Sequence, residues 1–146
     1  MIIPNSELRF TWQTQAQNNW CWAAVAASTA HFYDRKTTQT QCKIANAILN
    51  VSQCCCANGD SLECDVQESV EKALIHVGHL RACKRGALSW AAIENEINAS
   101  NPVGAQISLI SGSAHFGRQS CFKLWKERHG FDVLGFAAVR FTGSFP

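Results

Sequence analysis

The chain has 146 residues, 47% of them hydrophobic and 16% charged, which suits one domain with a core of its own. A net charge of +2 gives no electrostatic ground for binding nucleic acid, and no stretch has the apolar length needed to cross a bilayer. Eight cysteines are many for this length and point to an oxidising, extracytoplasmic compartment. The first residues, Met1-Ile2-Ile3-Pro4-Asn5-Ser6-Glu7, lack the basic end and apolar run of a signal peptide, so either export takes another route or a leader has been left off.

Leu8-Arg9-Phe10-Thr11-Trp12 alternates apolar and polar residues, which predicts an extended, strand-like arm. A polar run over residues 13–19 follows, and then Trp20-Cys21-Trp22-Ala23-Ala24-Val25-Ala26-Ala27. Alanine is the best helix former, and small side chains on nearly every face predict a buried helix. Asn18 or Asn19 is suited to cap its start. Cys21 then falls in the first turn, where unpaired N–H groups and the positive dipole end stabilise a thiolate. The same position also suits a buried structural cysteine or half of a disulfide.

Asp34-Arg35-Lys36-Thr37-Thr38 reads as a loop, and Thr40 opens a short helix over residues 41–50. Residues 51–64 are irregular. Cys42, Cys54, Cys55, Cys56, Cys64 and Cys83 cluster around them, and their spacing fits one or two disulfides better than a C-x₂₋₄-C zinc site. Six cysteines allow 15 pairings, so the connectivity stays open. Asp65 with Glu68 resembles a capping box, followed by a helix with Val66, Val70, Ala73, Leu74 and Val77 on one face and Gly78 at its end. Ser89 is placed to cap another helix through Ile97, with Trp90, Ile93 and Ile97 inward. Residues 103–110 alternate as a strand and run into Ser111-Gly112-Ser113-Ala114-His115-Phe116. Helices first and strands later is an α+β order, with helices against an antiparallel sheet.

A nucleophilic cysteine needs a base, and histidine has the right intrinsic pKa. Of the five histidines, His31 lies in the helix of Cys21 itself, about three turns away and out of reach. His76 and His79 end an amphipathic helix, and His129 sits in the charged run Lys126-Glu127-Arg128-His129. His115 differs, because it follows a strand and a small-residue turn, where a rigid sheet holds a side chain in place.

Gln15 stands six residues before Cys21, Cys21 starts a buried helix beside Trp22, and His115 opens a late strand. This set resembles the papain-like cysteine peptidases. More narrowly it is similar to a bacterial branch with an Asn-Trp-Cys-Trp-Ala-Ala helix start, a Thr-Gln-Cys-x-x-Ala-Asn-Ala segment, a Cys-Cys pair, an Asn-Pro-Val-Gly strand start and a Gly-x-x-His-Phe end. Here these are residues 15–24, 40–47, 54–56, 101–104 and 112–116. The branch is related to secreted effector peptidases and bacteriocin-leader peptidases, and the likeness covers residues 11–116. It implies one papain-like domain over residues 1–146, a helical N-terminal half and a C-terminal antiparallel sheet. It implies Cys21 as nucleophile, His115 as its base, and Gln15 as the oxyanion donor together with the Cys21 N–H. The implied substrate is a protein or peptide, and no cofactor is called for.

The likeness ends after Phe116. The family continues there with a Val/Ile strand into Gly-Tyr and then a strand bearing Asp or Asn. Here the chain reads Gly117-Arg118-Gln119-Ser120-Cys121-Phe122-Lys123. Residues 117–146 carry five basic and two acidic residues and five of the eight phenylalanines, a shift that a change of reading frame would produce. A sheet truncated or altered at this end is the expectation, and with it weak peptidase activity or none. Asp132 lies where the family's third catalytic member falls, seventeen residues after His115, and otherwise reads as a chance acidic residue of the tail. Two further readings stay open: a catalytically inactive papain-like remnant acting as a binding protein, and a small disulfide-rich interaction module.

Overall fold

A computed structural model describes residues 8–56, 59–60, 62–85, 88–108, 120–124 and 137–140. At its centre is helix α1, Cys21–Tyr33, in which residues 22–30 are all buried. Eight of those nine side chains are no larger than valine, so neighbouring elements approach the helix from every side. The buried hydroxyls on it are satisfied within the helix, Ser28 Oγ donating to the Ala24 carbonyl at 2.7 Å and Thr29 Oγ1 to that of Val25 at 2.8 Å.

Helix α2, Gln41–Leu49, starts at Thr40, whose side chain accepts from the Lys43 N–H, and stops at Asn50 in the left-handed conformation with φ 55°. Helix α3, Val70–His76, is capped by Ser69, whose side chain accepts from the Lys72 N–H. The turn after it passes through Gly78 at φ 77°, a value glycine adopts without steric cost, and lets the His79 N–H reach the Leu74 carbonyl at 3.0 Å. Helices α1, α2 and α3 pack on one another around Trp20, Trp22, Val25, Ile44 and Leu74.

Strands β1, Cys55–Cys56, and β2, Gly59–Asp60, form a short antiparallel pair, followed by a 3-10 turn at Leu62–Cys64. Strand β3, Ala82–Arg85, helix α4, Trp90–Asn98, and strand β4, Val103–Ser108, come next, and β5, Ser120–Leu124, and β6, Ala137–Arg140, are the last described elements. These four strands make one antiparallel sheet in the order β3-β6-β4-β5. Strand β4 is central, paired with β6 across Val103↔Arg140 and with β5 across Gly104↔Leu124. Both partners come from the tail beyond residue 116. Strand β5 also lies against α1, and α4 rests on β4.

Cys42 and Cys55 lie at disulfide distance, as do Cys54 and Cys64, with Cα–Cα separations of 5.8 and 5.4 Å. The first pair ties α2 to β1, and the second brings Cys54, just before β1, to Cys64 at the end of the 3-10 turn. Such pairs are compatible with an oxidising environment. Among the described residues, no group of three or more His, Cys, Asp or Glu side chains is placed to hold a metal ion, and no helix is long and apolar enough to cross a membrane.

Several local expectations are corrected. Residues 8–12 are not a strand: Phe10 donates to the Leu8 carbonyl at 2.8 Å in a local turn, and the Phe10 ring lies 5.4 Å from that of Phe32. Neither Asn18 nor Asn19 caps α1, whose N-cap residue is Trp20 with no side-chain cap bond. Asp65 and Glu68 do not form a capping box, because Asp65 is engaged elsewhere and the cap is Ser69. Trp90 is 46% exposed rather than inward.

Candidate functional site

Cys21 is the first residue of α1, half-buried, and outside both cysteine pairs. Its neighbours on either side are fixed by one short segment far away in sequence. The Trp20 indole Nε1–H donates to the Cys64 carbonyl at 2.7 Å, and the Trp22 Nε1–H donates to the Val66 carbonyl at 3.0 Å. Between them, the Asn19 N–H donates to Asp65 Oδ1 at 2.7 Å, while the Asn19 side-chain amide donates to the Asp65 carbonyl at 3.0 Å. Residues 64, 65 and 66 therefore form a strap across the start of α1. Trp20 and Trp22 are themselves buried, so each indole satisfies its one donor where water cannot reach it.

The segment before the helix is held just as closely. Gln41, the first residue of α2 and 8% exposed, accepts from the Ala16 N–H at 2.9 Å and donates to the Thr14 carbonyl at 2.9 Å. These bonds sit on either side of Gln15. The Gln13 N–H donates to Ser28 Oγ at 2.9 Å, which fastens the same segment to α1. Gln15 itself is exposed, and its Nε2 donates to the Asn18 carbonyl at 2.6 Å, so one amide proton is used and a second remains for a ligand. Gln17, four residues before Cys21, has its Nε2 buried with no hydrogen-bond partner among the described residues.

His115 and Asp132 lie outside the described residues. In sequence His115 falls between β4 and β5, and Asp132 between β5 and β6. Of the other described histidines, His76 ends α3. His31 is on the third turn of α1, and His79 lies beyond α3, stacked on Tyr33 at the far end of α1 with ring centroids 4.7 Å apart. Burial holds His79 below the usual histidine range, with the Asp34 carboxylate pulling it weakly the other way.

Sequence reasoning singles out Gln15 and Cys21 but misses the residues that hold them, Gln41 and Asp65. Gln41 looks like an ordinary polar residue in a first helical turn, and Asp65 looks like a helix cap. Only the long-range bonds, over 25 and 46 residues, reveal their use. Chemically, the arrangement offers a thiol at a buried helix start and amide donors in the polar segment just before it. No family model matches the chain, and neither a curated protein nor a solved structure matches it.

Proposed function

We propose that the chain is a papain-like cysteine peptidase of an extracytoplasmic compartment, hydrolysing peptide bonds through Cys21 with His115 as its base. The observation that supports this is the seat of Cys21. It is the first residue of a buried helix, lies outside both cysteine pairs, and is braced on each side by hydrogen bonds from Asn19, Trp20 and Trp22. Such bracing suits a nucleophile, because a misplacement of about 1 Å costs on the order of 10² in rate.

In this mechanism the Cys21 thiol gives its proton to His115, and the thiolate attacks the carbonyl carbon of the scissile amide. The oxyanion that forms is held by the Cys21 N–H and the Gln15 amide. The C–N bond then breaks, and the amine leaves with the proton held by His115. Water, deprotonated by His115, attacks the resulting thioester; the carboxylic acid is released and the thiol restored. Asp132 serves as the partner that orients the imidazole.

The test is turnover of a peptide library or a denatured protein substrate by the purified chain. Cys21→Ala abolishes cleavage if the reading holds. Robust turnover that survives Cys21→Ala would falsify it.

A further inference from the structure

We propose that Asp65 is a positioning residue for Cys21: its carboxylate and carbonyl grip Asn19 from a distance of 46 residues in sequence and fix the start of α1. The inference deepens the nucleophile reading of Cys21 and rests on it.

The argument begins with what holds a helix start in general. The first four N–H groups have no partner inside the helix, so an N-terminal turn frays unless a side chain caps it. Here the chain supplies two suitable caps, Asn18 and Asn19, and uses neither. The Asn19 amide is drawn away from the helix to the Asp65 carbonyl, and the residue in the cap position is Trp20, a type with no side-chain acceptor. The order a cap normally gives is instead imposed from outside, by the strap of residues 64–66.

Within that strap Asp65 has a distinct part. Cys64 and Val66 accept through main-chain carbonyls, which any residue type provides. Asp65 alone contributes a side chain, and it receives the main-chain N–H of Asn19 at 2.7 Å. A bond from a main-chain donor to an ionised carboxylate is short and strong, and it fixes backbone rather than a rotatable group. Two residues further on is Cys21. With Trp20 and Trp22 anchored at their indoles and Asn19 anchored at its backbone, the Cys21 backbone is constrained from both sides. Removing the carboxylate leaves the two indole anchors but frees the peptide that leads into the first turn. That turn then frays, and with it goes the local field that favours a thiolate at a helix N-terminus.

A carboxylate that acted on Cys21 through its charge alone would oppose ionisation of the thiol. This gives the test a direction that a purely electrostatic role would reverse. If Asp65 acted only as a nearby charge, its removal would make Cys21 more reactive. If it acts by positioning, removal makes Cys21 less reactive.

The experiment is iodoacetamide labelling of the intact chain across pH, read by mass spectrometry at Cys21, with the exposed Cys83 as the internal reference. In the wild type, Cys21 labels faster than Cys83 near neutral pH. Asp65→Ala slows Cys21 by about 10-fold or more, moves its labelling midpoint to higher pH and leaves Cys83 unchanged. Asp65→Asn, which keeps an acceptor oxygen in place, retains most of the wild-type rate. Asp65→Glu shifts the carboxylate by one methylene without removing the charge and slows Cys21; it serves as the deciding variant if Asp65→Ala does not fold. Where peptide turnover is measured, kcat falls in Asp65→Ala with little change in KM. Cys21 labelling that stays fast, or speeds up, in folded Asp65→Ala or Asp65→Glu overturns the proposal and leaves the nucleophile reading standing. A wild-type Cys21 no faster than Cys83 overturns the nucleophile reading itself.

Discussion

The Trp20 indole donates to the carbonyl of Cys64, a residue at disulfide distance from Cys54, so the buried start of α1 hangs on a crosslinked segment. The described residues between Val51 and Cys64 hold only two two-residue strands and a 3-10 turn, and Cys54 is also fixed by its N–H, which donates to Asn46 Oδ1 at 2.9 Å. Closing a loop of this size stabilises a fold by about 2–3 kcal/mol in the chain-entropy account. Mass spectrometry of non-reduced digests should recover Cys42–Cys55 and Cys54–Cys64 as linked peptides. Cys54→Ser with Cys64→Ser should lower stability by about that amount and slow Cys21 labelling as well. Free thiols at all four positions in the non-reduced protein would contradict the pairing.

Gln41 supplies the second prediction. Its amide satisfies the Ala16 N–H and the Thr14 carbonyl from a nearly buried position, so truncation leaves two main-chain groups without those partners. A net intramolecular hydrogen bond of this kind contributes about 0.5–1.5 kcal/mol. Gln41→Ala should therefore lower the unfolding free energy within that range, while Gln41→Glu, which keeps only the acceptor, should lose part of it. If Gln15 is the oxyanion donor, Gln41→Ala should also lower kcat with little change in KM, since such a donor acts mainly in the transition state. Gln17 gives the comparison. Its buried Nε2 is also near the helix start in sequence, and a kcat loss confined to Gln17→Ala would move the donor role there.

How much of this was legible in the sequence depends on the range of the interaction. Local signals read well: the alanine-rich run gives α1 and its buried character, and Thr40 and Ser89 open α2 and α4. Signals with a competing long-range partner read badly. Asn19 and Asp65 both have good capping side chains, but each is taken by the other across 46 residues. The Asp65 carboxylate takes the Asn19 main-chain N–H in a charge-assisted bond stronger than a cap of about 1 kcal/mol, the Asn19 amide goes to the Asp65 carbonyl, and nothing in the local sequence announces either. The arm over residues 8–12 shows the same limit, since alternation predicts a strand but says nothing about whether a partner strand exists, and Phe10 turns back to the Leu8 carbonyl instead. Trp90 reads as inward together with Ile93 and Ile97 on one helix face, but it stands in the first turn of α4 and 46% of it faces solvent.

The third prediction concerns pH. Desolvation lowers the pKa of His79 from an ordinary value of 6.5, while the Asp34 carboxylate opposes this. The folded state thus binds fewer protons than the unfolded state below that value, and stability rises with pH there. The His79 contribution is complete above about 6.5 and is lost as pH falls through that value toward the lower folded pKa. The ring also stacks on Tyr33 at 4.7 Å and 25°, so His79→Phe keeps the stack and removes the titration. Urea unfolding at pH 7.5 and 5 should show a smaller acid loss in His79→Phe than in the wild type. Glu68 provides the contrast: the Ser69 N–H and Lys72 hold it below 4.5, so its own contribution fades only at more acid pH. Equal acid losses between pH 7.5 and 5 in the two proteins would show that His79 is not the group responsible.

The last prediction joins the sheet to the proposed catalysis. Strand β4 leads toward His115 in sequence, and both of its pairings come from beyond residue 116, β5 on one edge and β6 on the other. Strand β3 likewise pairs with β6. A chain ended after Phe116 keeps α1, α2 and α3 but loses every described partner of β3 and β4, and an unpaired strand is poorly held and prone to aggregate. The truncated chain should therefore lose activity entirely, even though Cys21 and His115 are both present. In the full chain, Cys21→Ala should abolish turnover, and His115→Ala should cost nearly as much, because nucleophile and base act as one unit. Asp132→Asn is the sharpest comparison. If Asp132 orients the His115 imidazole, the change should cost about 10⁴ in kcat, as loss of the tautomer-setting partner does in a serine triad. A cost below about 10-fold would remove Asp132 from the mechanism and leave the tail with one task, that of pairing the strands beside which His115 stands in the chain.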